Sequence, residues 1–448
     1  MAAMTHALTI EAFGRKIRAR EISSSELTET CLQRIADEQS RLNAFVLVMA
    51  KEARADARRA DEELAAGLDR GPLHGVPISI KDLIDVRGTP TTAASRVREG
   101  HVAEGDAPVV QYLRRAGAVI IGKTNLHEFA FGTTSEESAF GPTRHPLDPA
   151  RSPGGSSGGS AVSIAAGMAL ATIGTDTGGS IRIPAAACGV VGLKPTYGEV
   201  AVEGVVPLSR TLDHVGPLAK SVTDAWLVHR TLVGDPSPGP LTPMPIAKLR
   251  LAVPRRYFCD LLDDEVRARF EEALERLRRA GANVQPTEIP HATEVAPVYF
   301  AIVLSDAAAY HAATLDAMPD RYTEAVRLRL ETGRHVLAED YVRALNGRVV
   351  LRREVDAALT EFDALVLPTL PIPAPLFGVT TLTLGDREEP VRSLMLRLTQ
   401  LFNLTGHAAI SVPCGQTASG LPCGLQLVGA RMETASLMRT ALACEPYL

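Results

Sequence analysis

Three short segments of this 448-residue chain place a base or a hydroxyl among small residues. They are PISIKD, with Lys81; SPGGSSGGSA, with Ser156 and Ser157; and DTGGSIRIPA, with Ser180. A serine hydroxyl is a poor nucleophile unless some group takes its proton during attack. A lysine can take it only when neutral, and burial favours that form by lowering the pKa. The turn Thr177, Gly178, Gly179, Ser180 can offer consecutive backbone N–H groups to an oxyanion. Its glycines allow the turn and keep side chains out of the way. Each segment also has an ordinary reading: a lysine at a strand end, a flexible Gly/Ser loop, an N-cap after a Gly-Gly turn.

Two other matches mislead. GAVIIGKT, residues 117–124, fits a phosphate-loop pattern, but its variable positions Ala118 to Ile121 read as a buried strand rather than a flexible turn. GGSSG, residues 154–158, fits a nucleophile elbow, but prolines in the preceding RHPLDPARSP exclude the strand an elbow needs. His127 beside Glu128 reads as structural. The six cysteines, at 31, 188, 259, 414, 423 and 444, form no CxxC pair and read as buried thiols. No metal site and no cofactor is expected.

The elements around these segments alternate. Residues 1–70 read as helices, with Ser23, Ser24 and Ser25 as N-cap candidates. From Gly71, short apolar strands such as Val76 to Ile80 and Val119 to Ile121 alternate with helical patterns, which points to an α/β core. The proline-rich stretch 234–248 marks a boundary. Residues 234–350 read as a mainly helical insertion or substrate cap, although LRLAVP within them reads as a strand. Residues 351–448 return to the core through DALVLPTLPIPAP, AAISVP and GLQLVG. One domain over 1–448 is expected, with 71–233 as the central part.

Taken together, the segments resemble the amidase signature family. The match is densest from Gly75 to Pro217 and returns in VLPTLPIPAP, FNLTG and GLPCGLQLVG. The resemblance implies a large mixed β-sheet flanked by helices on both faces. It implies Ser180 as nucleophile, Ser156 as proton relay preceded by a cis peptide at Gly155, Lys81 as base, and Thr177 to Ser180 as the oxyanion hole. Asp176 and Arg182 are expected to brace that turn as a buried pair. Ser157 and Thr175 are expected near the relay, and Asp213 as a structural neighbour. His407 stands where the family often has proline, which puts the local loop in question.

The implied activity is hydrolysis of amides, with carbamates and esters as related substrates, in the manner of bacterial amidases, aryl acylamidases and urethanases. The alternatives are the amidase subunit of a glutamyl-tRNA(Gln) amidotransferase and a silent binding protein on the same fold. PLSRTLDHVGP departs from that subunit's usual small-residue run, and the C-terminal part is short for it. A formal net charge of −5 gives no electrostatic footprint for nucleic acid or an anionic membrane. The N-terminus, Met1 to Ile10, shows no signal-peptide pattern, and the apolar run Ala161 to Ile173 is too short to span a bilayer. A cytoplasmic monomer or homodimer acting on small molecules is expected. No pair of basic residues in 240–350 marks a charged substrate; Arg329 reads equally as an anchor or a solvated helix charge. Neutral aryl amides and carbamates are therefore the expected substrates.

Overall fold

The computed structural model describes residues 8–235 and 237–448. The leader expectation falls mostly on Met1 to Ala7, outside the described residues. The strands are β1 (Phe45–Val48), β2 (Pro77–Lys81), β3 (Val119–Thr124), β4 (Ala171–Asp176), β5 (Val191–Lys194), β6 (His214–Ala219) and β7 (Arg250–Pro254). They continue with β8 (Asn283–Thr287), β9 (Ala364–Pro368), β10 (Thr381–Leu384), β11 (Arg387–Pro390), β12 (Ala409–Gln416) and β13 (Pro422–Val428). Eleven of them form one sheet in the order β1-β3-β2-β4-β6-β5-β12-β13-β9-β7-β8, while β10 and β11 pair as a separate hairpin. The sheet is mixed: β2 runs parallel to β3 and β4, whereas β6 runs antiparallel to β4 and β5. This is the mixed, helix-flanked sheet that the family resemblance implies.

The central strands are apolar because helices cover them. All five residues of β2 and all six of β4 are buried. Alternation along β2 sends Ile78 and Ile80 to one face and Ser79 and Lys81 to the other. Ser79 Oγ meets Ser163 Oγ of helix Gly158–Ala165 at 3.0 Å, so that helix covers the Lys81 face. At the N-terminus, Ser23 caps helix Ser24–Leu42 in a reciprocal box with Glu26.

Several features differ from the sequence reading. The first 70 residues hold β1 as well as helices, pairing antiparallel with β3. Residues 234–350 supply the sheet-edge strands β7 and β8 besides helices Asp264–Arg279, Val295–Ala317, Glu324–Gly333 and Ala338–Ala358. The apolar run at Ala161 divides between helix Gly158–Ala165 and β4. A longer apolar helical segment, Ala292–Ala317, meets the length and composition of a membrane span. Its residues Val295, Tyr299, Ile302, Val303, Ala307 and His311 are buried at helical spacing, and it packs on the neighbouring helices of the molecule. All six cysteines are buried and free.

Candidate active site

The site lies where strands end. Because β2 and β4 are parallel and in register through Ile80 and Ile173, their C-terminal ends lie side by side. Such ends leave room for a site because the chain turns away from the sheet there. Lys81 is the last residue of β2, and the turn carrying Ser180 follows Asp176, the last residue of β4. Ser156 precedes helix Gly158–Ala165, whose face already packs over β2.

These placements bring Lys81 and Ser156 into contact. Lys81 Nζ lies 2.8 Å from Ser156 Oγ and 2.8 Å from Thr175 Oγ1. Lys81 and Ser156 have no solvent exposure, while Ser180 retains 6%. Burial pulls the Lys81 pKa down to about 7, against the opposing pull of Asp176 and Asp213. A substantial neutral fraction therefore exists at neutral pH. The Gly155–Ser156 peptide is cis. A Cβ on Gly155 would stand 2.9 Å from backbone atoms of Thr133, Thr134 and Ser135, so only glycine fits.

Ser180 joins the pair through the backbone: Ser157 N donates to Ser180 O at 3.2 Å. Ser157 Oγ donates to Thr175 O at 3.1 Å, tying the relay segment to β4. Among the described residues, Ser180 Oγ hydrogen-bonds to neither Lys81 nor Ser156. It is the hydroxyl that reaches outward, towards a substrate.

The turn is braced from beneath. Arg182 and Asp176 are fully buried and pair through two contacts, Nη2–Oδ1 at 2.9 Å and Nε–Oδ2 at 3.0 Å. Burial pushes the Asp176 carboxyl upward, but the Arg182 charge and its hydrogen bonds outweigh this and hold it well below the usual range. The same carboxylate accepts from Gly179 N at 2.8 Å and Ile181 N at 3.1 Å. This corrects the four-donor oxyanion expectation. The Gly179 amide is committed to Asp176, whereas those of Thr177, Gly178 and Ser180 have no protein acceptor among the described residues. Thr399 Oγ1 donates to Gly178 O at 2.6 Å and fixes that peptide from the other side.

Several of these braces escaped the sequence reading. Arg182 also donates to Gln426 Oε1 and Asn403 Oδ1, both at 2.6 Å, and Asn403 Nδ2 returns to Asp176 Oδ1 at 2.8 Å. Asn403 and Gln426 lie in FNLTG and GLQLVG, which flag the segments but not the contacts. Asp213 accepts from Thr177 Oγ1 at 2.6 Å and from the amides of Leu208 and Ser209. Burial raises its pKa to about 6. His407 is buried between Thr405 Oγ1, at 2.9 Å, and Asp356 Oδ1, at 3.1 Å, so polar partners hold the loop there.

The rejected motifs also have structural explanations. Lys123 of GAVIIGKT is buried on β3 and pairs with Asp82 at 2.8 Å. Glu128 Oε2 accepts from Thr323 N at 2.8 Å, and among the described residues no His/Cys/Asp/Glu group suits a metal ion. A surface cavity of about 790 Å³, lined in part by Thr9, Cys188, Lys220 and Leu448, contains none of the three segments. Size alone does not locate the site.

An amidase family model matches residues 26–438. The chain belongs to the amidase signature family. It is 41% identical over 482 residues to the amidase component of a glutamyl-tRNA(Gln) amidotransferase from Anaeromyxobacter sp. (strain K), covering 98% of this chain and 96% of that one. It is 40% identical over 452 residues to an amidase from Pseudomonas putida, covering 98% and 95%. A crystal structure of an amidase superposes with a TM-score of 0.93 at 39% identity, covering 98% of this chain and 100% of that one. Amide hydrolysis is the activity this membership supports.

Proposed function

We propose that this amidase family member cleaves the C–N bond of small-molecule amides through an acyl-enzyme on Ser180. The carrying observation is the fully buried Lys81, with Nζ 2.8 Å from Ser156 Oγ and a pKa near 7. Neutral Lys81 takes the Ser156 proton while Ser156 takes that of Ser180, and Ser180 Oγ attacks the carbonyl carbon. The free amides of Thr177, Gly178 and Ser180 receive the oxyanion; one such donor is typically worth about 3 kcal/mol. Collapse breaks the C–N bond, and the proton returns through Ser156 to the departing amine. Water then attacks the acyl-enzyme along the same relay and releases the acid. Carbamates and esters enter the same cycle, because each presents an acyl carbon to Ser180.

The test is fluorophosphonate labelling of the folded protein followed by peptide mapping, alongside turnover of an amide panel. An adduct on Ser180 and amide turnover support the reading; a folded protein with neither refutes it. A second reading, the amidase component of a glutamyl-tRNA(Gln) amidotransferase, draws support from the 41% identity to one such protein, against 40% to an amidase. Turnover by the isolated chain favours the first reading, and activity that needs partner chains favours the second. A cytoplasmic monomer or homodimer is part of the first proposal, with sizing chromatography as its check.

A further inference from the structure

Two arginines beside the candidate site have no acidic partner. Arg329, on helix Glu324–Gly333, donates from Nη1 to Phe131 O at 2.7 Å and lies 3.5 Å from His127 Nε2. Arg392, on helix Val391–Arg397, sits over the Phe131 ring at 5.7 Å and the Phe300 ring at 5.1 Å. Both side chains are partly buried, and Arg392 Nε is shielded without a hydrogen-bond partner. Among the described residues, neither guanidinium forms an ion pair with a carboxylate. That is a costly arrangement, because shielded charges are normally paired.

The two converge on one place, since both touch Phe131. Burial lowers the Arg329 pKa to about 10, and the nearby Arg392 charge adds to the effect, opposed by Glu137. The place adjoins the reaction centre on two sides. His127, against Arg329, donates its backbone N–H to Ser156 O at 3.1 Å. Tyr299, next to Phe300, puts its hydroxyl 2.3 Å from where a Cβ on Gly178 would stand. The Arg392 charge also acts on Tyr299.

A guanidinium presents planar, forked donors that match a carboxylate, and two of them with no internal counterion favour an anion. We propose that Arg329 and Arg392 recognise a carboxylate carried by the amide substrate, selecting compounds such as monoamides of dicarboxylic acids. This rests on the amidase reading, which puts the scissile carbonyl at Ser180. It replaces the expectation of neutral substrates. Within 240–350 only Arg329 stood out, and its companion lies outside that segment, at 392.

The test compares monoamides of three- to six-carbon dicarboxylic acids with neutral alkyl amides of equal length. At least one charged member should exceed its neutral counterpart by about 10- to 100-fold in kcat/KM, as expected for charge-assisted hydrogen bonds. Arg392→Gln and Arg329→Gln should each collapse that ratio towards one, mainly through KM, and Arg392→Lys should restore part of it. A second readout needs no turnover. The product dicarboxylate should raise the Tm of the intact protein above a chloride control of equal ionic strength, and Arg392→Gln should lose the shift. Equal rates for charged and neutral amides, without a dicarboxylate shift, overturn the inference and leave the amidase reading standing. Absence of all turnover and of Ser180 labelling refutes the amidase reading, and the Tm shift still decides whether the arginines bind a carboxylate.

Discussion

At the residue scale, the chemistry turns on the charge of Lys81. Its folded pKa of about 7 lies below the ordinary lysine value of 10.5 because burial disfavours the ammonium. The neutral form is the base, so kcat/KM should rise as pH passes through about 7 and level off above it. A rate independent of pH between 5 and 9 would count against this role. The folded state also binds fewer protons than the unfolded chain between the two pKa values. This group's contribution to stability therefore grows with pH across that window and is lost as pH falls through about 7. Lys81→Ala and Ser180→Ala should each lower kcat by at least about a thousandfold in steady-state assays, and Ser156→Ala should leave a trace of activity. Full turnover by Lys81→Ala would remove the mechanism. The lysine and both serines were legible as local motifs. Thr175 was legible only as a neighbour of the relay, since its contact with Lys81 needs β2 and β4 side by side.

At the element scale, the β4 turn holds its shape through a carboxylate shared between backbone and arginine. Arg182→Met would leave Asp176 buried without its charge partner. The expected cost is about 3–5 kcal/mol, read from the urea unfolding midpoint and slope. Gly179 has a φ of +138°, which L side chains rarely adopt, and a Cβ there would stand 2.2 Å from Thr399 Oγ1. Gly179→Ala should displace the adjacent donor amides and lower kcat by about 100-fold, with slower fluorophosphonate labelling of Ser180. A variant with wild-type labelling and kcat would show that the turn tolerates the shift. The two glycines were legible, but the loss of the Gly179 amide to Asp176 was not. Backbone N–H groups look equivalent in a sequence until a fold supplies the acceptor.

At the scale of the whole molecule, the sheet joins distant stretches of chain. β12 and β13, from the last 40 residues, lie in the middle of the sheet, between β5 and β9. Removing 401–448 would expose both neighbouring edges and delete Asn403 and Gln426 from the Arg182 network. The shortened chain should not yield a folded soluble protein, as checked by far-UV circular dichroism and sizing chromatography. A monomeric product with native-like strand signal would contradict this.

The sequence by itself determined the α/β alternation, the family and the three segments that supply a base and two hydroxyls. These are local properties, carried by periodicity, turn glycines and short motifs. β1 and the β10–β11 hairpin were missed because four-residue strands carry too little pattern. The tertiary structure alone decided which amides of the turn are free, which side chains from β13 and helix Gln400–Thr405 brace it, and that Arg392 meets Arg329 at Phe131. Each of those depends on pairing between residues far apart in the chain, where neither partner's sequence neighbourhood names the other.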